Sequence, residues 1–249
     1  ATTNTTIPYD ITIGGDQVTS ENASNIRGIW LKAGKLYYDA PTNTLTLENA
    51  EIKTQAYAIL SYTEGLRIEL IGENKIFSGR ASSLYLSKKT TITGEGSLSV
   101  ETTDNCGIFL PGSSLTIEDC TVTTKGKWGV AGNNSTEAGK LLIKNAKLTA
   151  EGSNGSICDM AELTLEGSYI KDPEGAAFDA DLFAVALGGQ IVTEAINIVP
   201  IPDGITSAEL DKTNAQSAVY TLSGTKVNMP INKLNKGIYI VNGKKLIVK

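Results

Sequence analysis

One short phrase recurs along the middle of this chain and limits what the chain can fold into. It runs apolar, polar, apolar, two polar residues, a small residue, polar, apolar. It reads Leu45-Thr-Leu-Glu-Asn-Ala-Glu-Ile52, then Leu115-Thr-Ile-Glu-Asp-Cys-Thr-Val122, Leu141-Leu-Ile-Lys-Asn-Ala-Lys-Leu148 and Leu163-Thr-Leu-Glu-Gly-Ser-Tyr-Ile170. Two further copies, Leu70-Ile-Gly-Glu-Asn-Lys-Ile76 and Ile92-Thr-Gly-Glu-Gly-Ser-Leu98, vary the bend. Taking Leu47, Leu70, Ile92, Ile117, Ile143 and Leu165 as anchors gives intervals of 23, 22, 25, 26 and 22 residues. That period is too short for a helix pair and too regular for unrelated hairpins.

Within each phrase the alternation has period two, which marks strands with one buried face. The two polar residues at its centre make a tight corner. The second corner position carries Asn49, Asp119, Asn145 and Gly167. These residue types tolerate a left-handed backbone, so the spacing predicts a ladder of corners. Between phrases lies a second apolar run: Ala58-Ile-Leu60, Leu84-Tyr-Leu86, Gly107-Ile-Phe-Leu110, Gly129-Val-Ala131 and Ile157-Cys158. Long amphipathic helical runs are absent and Thr, Ile, Val and Gly dominate the region. The expectation is an all-β chain, a right-handed parallel β-helix in which each coil stacks about 4.8 Å from the next.

Three segments follow. Residues 1–40 read as N-terminal cap strands and residues 41–199 as the coils, ending in Ala184–Ile191 and Ala195–Val199. Residues 200–249 read as a linker and a small C-terminal antiparallel β-domain. The linker begins at Pro200-Ile-Pro-Asp-Gly204 and continues to about Ser217. The tail strands are Val219–Leu222, Ile238–Val241 and Leu246–Val248, and an Asn242-Gly243 pair between alternating apolar residues is a strong hairpin signal. Trp30, Tyr37 and Tyr38 are expected between the cap and the first coil.

The 249 residues are 41% hydrophobic and 20% charged, ordinary for a globular protein. The formal net charge of -5, with no basic block, argues against nucleic acid. No apolar run approaches the roughly 18 residues that suggest a membrane span. The polar start Ala-Thr-Thr-Asn-Thr-Thr reads as a chain whose export segment has been removed, so an extracellular or outer-surface location is expected. Of the three cysteines, Cys106 and Cys158 fall two coils apart, about 9.6 Å by the coil spacing. That exceeds the reach of a disulfide. Cys120 takes the small inward position held elsewhere by Ala50, Ala146 and Ser168.

The coil region, with Tyr38-Asp-Ala-Pro-Thr-Asn-Thr-Leu-Thr-Leu-Glu-Asn-Ala50 and the two Gly-Glu-(Asn/Gly) bends, resembles the pectate-lyase-like β-helix domains of secreted bacterial proteins. That resemblance implies a carbohydrate-binding or adhesin-like role. The tail, Val219-Tyr-Thr-Leu-Ser-Gly-Thr-Lys-Val227 and Lys236-Gly-Ile-Tyr-Ile-Val-Asn-Gly-Lys-Lys-Leu-Ile-Val-Lys249, resembles the C-terminal β-domains of exported Bacteroidetes proteins. In some relatives such a tail is a sorting signal.

A lyase on this scaffold would need clustered aspartates for Ca²⁺ and an Arg or Lys base. Only Arg67 and Arg80 lie on the coils, and Asp104, Asp119 and Asp159 fall on different sides. A glycoside hydrolase would need two carboxyls roughly 5 to 9.5 Å apart. Glu73 and Glu95, read as equivalent positions on successive coils, are the candidates for that pair or for a Ca²⁺ site. Outward positions of the second strand carry Leu60, Tyr85, Phe109, Ala131 and Cys158. Tyr85 and Phe109 would stack one coil apart, with Tyr62 and Trp128 near them. Flat rings with a polar handle suit sugar rings. The leading reading is a non-catalytic protein that binds a polysaccharide or surface glycan through these four residues, without a cofactor. The alternatives are a polysaccharide lyase or glycoside hydrolase on the same scaffold, or a structural surface spacer.

Overall fold

A computed structural model describes residues 5–133 and 139–202, together with 219–221, 224, 226–227, 236–241 and 244–248 of the tail. All regular elements among these residues are β-strands. The chain divides into two units, Ala1–Pro200 and Ile201–Lys249.

The first unit is a β-solenoid of about five turns. The period-two pattern buries one side of each strand, and no coil can cover that side alone, so successive coils stack in parallel. Three faces result. The first holds the start of Thr44–Thr54, then Leu66–Ile71, Thr90–Thr93, Ser114–Glu118, Gly139–Lys144 and Met160–Glu166. The second holds the end of Thr44–Thr54, then Glu73–Ser78, Ser97–Thr102 and the first halves of Thr121–Gly132 and Lys147–Cys158. Ile59–Ser61, Leu84–Leu86, Cys106–Leu110 and the second halves of the same two long strands make the third.

Each face sends columns of apolar side chains inward. On the third face Ile59, Leu84, Ile108, Val130 and Ile157 lie in register and are fully buried. On the second face Leu98, Val122 and Leu148 follow Asn74, a buried amide in an apolar column. Its carboxamide oxygen accepts from the Ala50 amide at 2.8 Å. Its NH₂ donates to the carbonyls of Ile71 (3.2 Å), Gly72 (3.4 Å) and Ser97 (3.2 Å). A buried polar group is tolerated when it is satisfied in this way.

The corner ladder forms as expected: Asn49, Asp119, Asn145 and Gly167 have φ of 49°, 54°, 46° and 57°. The first-face register differs from the one the phrase suggests. Leu47 pairs with Leu70, but Ile92 pairs with Ile68 rather than Leu70. The continuous inner column is therefore Leu45, Ile68, Ile92, Ile117, Ile143 and Leu165. The first two coils turn two residues later than the rest, and the bend Gly94-Glu95-Gly96 absorbs the difference. Gly94 has φ of 117°, and a Cβ there would fall 2.4 Å from the Leu70 carbonyl oxygen.

Both ends are closed by antiparallel strands. At the start Leu31–Asp39 pairs with Thr44–Thr54, while Pro8–Ile13 pairs with Ile59–Ser61 and with Asp16–Thr19. Trp30 is buried and its indole N–H donates to Asp16 Oδ2 at 2.7 Å. Tyr38 is buried edge-on to Tyr9, with ring centroids 4.9 Å apart, and Tyr37 is half-buried. At the far end Ile196–Pro200 runs antiparallel to both Lys147–Cys158 and Ser168–Asp172. Residues 184–191, expected as part of a last coil, instead form a separate sheet. Ala177–Asp179, Ala184–Leu187 and Gln190–Ile191 pair antiparallel in that order. The reason is local: Gly188 and Gly189 have φ of 60° and 77°, a turn with two left-handed residues that reverses the strand and pairs Leu187 with Gln190.

In the second unit Val219–Thr221 pairs antiparallel with Lys226–Val227 and with Gly237–Val241, and Gly237–Val241 pairs with Lys244–Val248. Val241 faces Lys244 across the expected turn, whose Asn242 and Gly243 lie outside the described residues, as do Leu222 and the linker residues 203–217.

Substituting Gly94→Ala forces a side chain into the Leu70 backbone in a conformation L-residues rarely adopt. It is expected to destabilise the solenoid by about 2 kcal/mol or more. Gly188→Ala, with nothing within 4 Å of the new Cβ, carries only the left-handed backbone strain, about 1 kcal/mol. Urea unfolding of the two variants against the parent checks the order.

Candidate functional site

The candidate surface lies on the outer side of the third face. Its first three strands carry segments with a buried residue on either side of a half-buried one, so the middle residue of each, Leu60, Tyr85 and Phe109, points away from the core. Leu60, Tyr85, Phe109, Ala131 and Cys158 are register partners on five successive coils. This is the outward column read from the sequence.

Tyr85 is the hub of the rings. Its centroid lies 5.3 Å from that of Phe109 and 5.9 Å from that of Tyr62, with interplanar angles of 70° and 50°. Tyr57 joins at 5.1 Å and 68°. The Tyr85–Phe109 and Tyr85–Tyr57 contacts are edge-to-face, a favoured aromatic geometry, while the Tyr85–Tyr62 contact is tilted. Tyr62 is 50% exposed, while Tyr57, Tyr85 and Phe109 are half-buried. Burial, followed by the neighbouring Tyr62, raises the pKa of the Tyr85 phenol. Tyr57 escaped the sequence reading because it precedes the strand, at a corner outside the repeated phrase.

Toward the far end the same column is covered. Ala131, Cys158 and Cys106 are buried with Ala184 of the three-stranded sheet, and Phe109, Trp128 and Leu182 pack against them. Trp128, opposite Cys106 and Gly155 in register, therefore belongs to this covered part. The structure joins Tyr62, Tyr85 and Phe109 directly, with Trp128 reached through the covered cluster. Small residues explain the change: Ala131, Cys158 and Gly155 leave room for the sheet to seat.

All three cysteines are free and buried. Burial pushes the thiol pKa up to about 11 at Cys106, and to about 12 at Cys120 and Cys158. A hydrogen bond with Ser82 restrains the rise at Cys106. Asp119 adds to it at Cys120 and Asp159 at Cys158.

Acidic residues are dispersed. Asp119 sits at the corner between the first and second faces, Asp104 between the second and third, and Asp159 between the third and first. Asp104 is ion-paired with Lys127 at 3.4 Å and Arg67 with Glu69 at 3.7 Å. Burial raises the pKa of Asp159. Glu73 and Glu95 are both exposed, but they are not equivalent positions. Glu73 pairs with Ser97, and Glu95 stands in the bend two residues earlier. Among the described residues no three His, Cys, Asp or Glu side chains gather where they would hold a metal ion. No helix there is long and apolar enough to cross a membrane.

Comparison with known proteins finds no matching family model, no matching curated protein and no matching solved structure.

Because the native state holds the thiol protons more tightly than the unfolded chain, their contribution to stability is complete below a pH of about 8.5. It falls as pH rises toward 11 to 12. At pH 8 the three thiols are expected to stay unreactive toward an aromatic disulfide reagent until denaturant is added. Rapid labelling of one or more thiols in the native protein would contradict this burial.

Proposed function

We propose that this chain is an exported, non-catalytic β-solenoid protein that binds a polysaccharide or surface glycan, in the manner of an adhesin. The observation that carries the reading is the ring cluster on an outer face, Tyr85 and Phe109 stacked on adjacent coils with Tyr62 beside Tyr85. Coil stacking holds these rings at fixed spacing, so little side-chain freedom is lost when a sugar settles on them. The phenolic oxygens of Tyr62 and Tyr85 add polar contacts that an aliphatic patch lacks. The division of Asp104, Asp119 and Asp159 among three corners supports a binding role over a lyase or hydrolase, whose chemistry requires convergent carboxyls. The tail's resemblance to the C-terminal domains of exported Bacteroidetes proteins supports delivery to the cell exterior.

Glycan-array binding followed by calorimetry on the best ligand tests this. The double substitution Tyr85→Ala/Phe109→Ala is expected to weaken binding at least tenfold, about 1 kcal/mol for each ring. Tyr62→Ala, at a half-exposed position, is expected to weaken it severalfold with an unchanged melting midpoint. Equal binding by all three proteins would refute the ring column as the site.

A further inference from the structure

The corner that follows the ring-bearing strands carries a second feature, one that the repeated phrase does not contain. Leu84–Leu86 leads directly into Ser87-Lys88-Lys89, and Cys106–Leu110 into Pro111-Gly112-Ser113. An open cavity of about 440 Å³ lies there, between the third and first faces. Lys88, Lys89 and Lys140 line it, with Ser87, Ser114 and a single carboxylate, Glu64. Lys140 also reaches Glu162 at 3.4 Å, so one of the three cations is partly compensated. Lys88 and Lys89 are exposed and take part in no ion pair among the described residues. Lys125 pairs with Glu151 and Lys144 with Glu118 across adjacent coils, while Lys75 and Lys147, like Lys88 and Lys89, take part in no ion pair among the described residues. What sets Lys88 and Lys89 apart is that they share a cavity with a third lysine. In a chain of net charge -5, three lysines against one carboxylate around a hydroxyl-lined cavity give a local excess of positive charge.

The distance to the rings is short. Lys88 follows Tyr85 by three residues, at most about 10 Å along an extended backbone. The Ser87 amide at the cavity's edge donates to the Ser61 carbonyl at 2.9 Å, and the residue after Ser61, Tyr62, is the ring that joins Tyr85, so the cavity and the rings adjoin at this corner.

We infer that the ligand of the ring column is an acidic glycan whose carboxylate or sulfate group enters the Lys88–Lys89–Lys140 corner. This inference rests on the glycan reading of the rings. Ser87 and Ser114 supply hydroxyls for the anion, and the lysines supply its counter-charge. Glu64, the one carboxylate in the lining, opposes the anion, so the three lysines must outweigh it.

The test is calorimetric titration of the full chain with matched neutral, uronate-containing and sulfated oligosaccharides, and with sodium sulfate alone. Lys88→Gln/Lys89→Gln and Tyr85→Ala/Phe109→Ala are run in parallel. The parent protein is expected to prefer acidic over neutral chains by on the order of tenfold, a preference that shrinks with added salt. Lys88→Gln/Lys89→Gln should remove the preference and leave neutral binding unchanged, whereas the ring variant should weaken both. Equal binding of neutral and acidic chains, still lost in the ring variant, would overturn the anion site and leave the glycan reading intact. Binding of neither class would overturn both. Lysine-dependent binding of sulfate alone as tight as that of the sulfated chain, with the chain's binding unchanged in the ring variant, would identify a site for a free anion and overturn the inference.

Discussion

The hydrogen-bond register between successive coils is the interaction on which the rest of this molecule depends. In a parallel stack each strand presents its backbone to the coil above and the coil below, so a column of side chains exists only where the register holds. One inner column, Ile59 to Ile157, fills the core, and one outer column, Leu60 to Cys158, forms the candidate surface. They come from neighbouring residues on the same strands. A slip of one residue would exchange them, placing Tyr85 and Phe109 inside and leaving Leu84 and Ile108 in water. Core burial and the ring surface are therefore one constraint seen from two sides.

Corners and ends are where that constraint is enforced. Left-handed residues at Asn49, Asp119 and Asn145 turn the chain from the first face to the second, two residues later on the first coil than on the other two. Asn74 ties three coils together at the same edge, since its side chain bonds to Ala50 on one coil and Ser97 on the next but one. Truncating it would leave the buried Ala50 amide without its acceptor, a penalty added to the loss of the bonds that join the coils. The antiparallel strands Leu31–Asp39 and Ile196–Pro200 close the open edges of a stack that would otherwise offer templates for further pairing.

Much of this was legible in the sequence, for physical reasons that differ from place to place. The corner ladder could be read because few residue types accept a positive φ, and Asn, Asp and Gly recur at one position of the phrase. The outward column could be read because a three-residue strand leaves its middle side chain only one direction. The two-residue slide between Leu70 and Ile92 could not, since a glycine bend changes the path of the backbone without disturbing the hydrophobic pattern. That slide also separated Glu73 from Glu95. The sheet over Ala131 and Cys158 was signalled by Gly188-Gly189, but Ala184 to Ile191 has the same alternation as a coil strand. Tyr57, Lys88 and Lys89 lie at corners, where no period exists to place a side chain.

The register itself can be measured directly with paired cysteines. Arg67 and Thr91 are opposite one another, and both are at least partly open to solvent. Their Cα atoms are expected about 4.8 Å apart, within the reach of a disulfide. Glu69 would be opposite Thr91 if the phrase alone set the register, with Leu70 beside Ile92. In the structure that pair is offset by two residues, about 8 Å. Mild oxidation should join Arg67→Cys to Thr91→Cys and leave Glu69→Cys/Thr91→Cys as free thiols. Efficient cross-linking of the second pair and not the first would contradict the register, and with it the columns that define both the core and the candidate site.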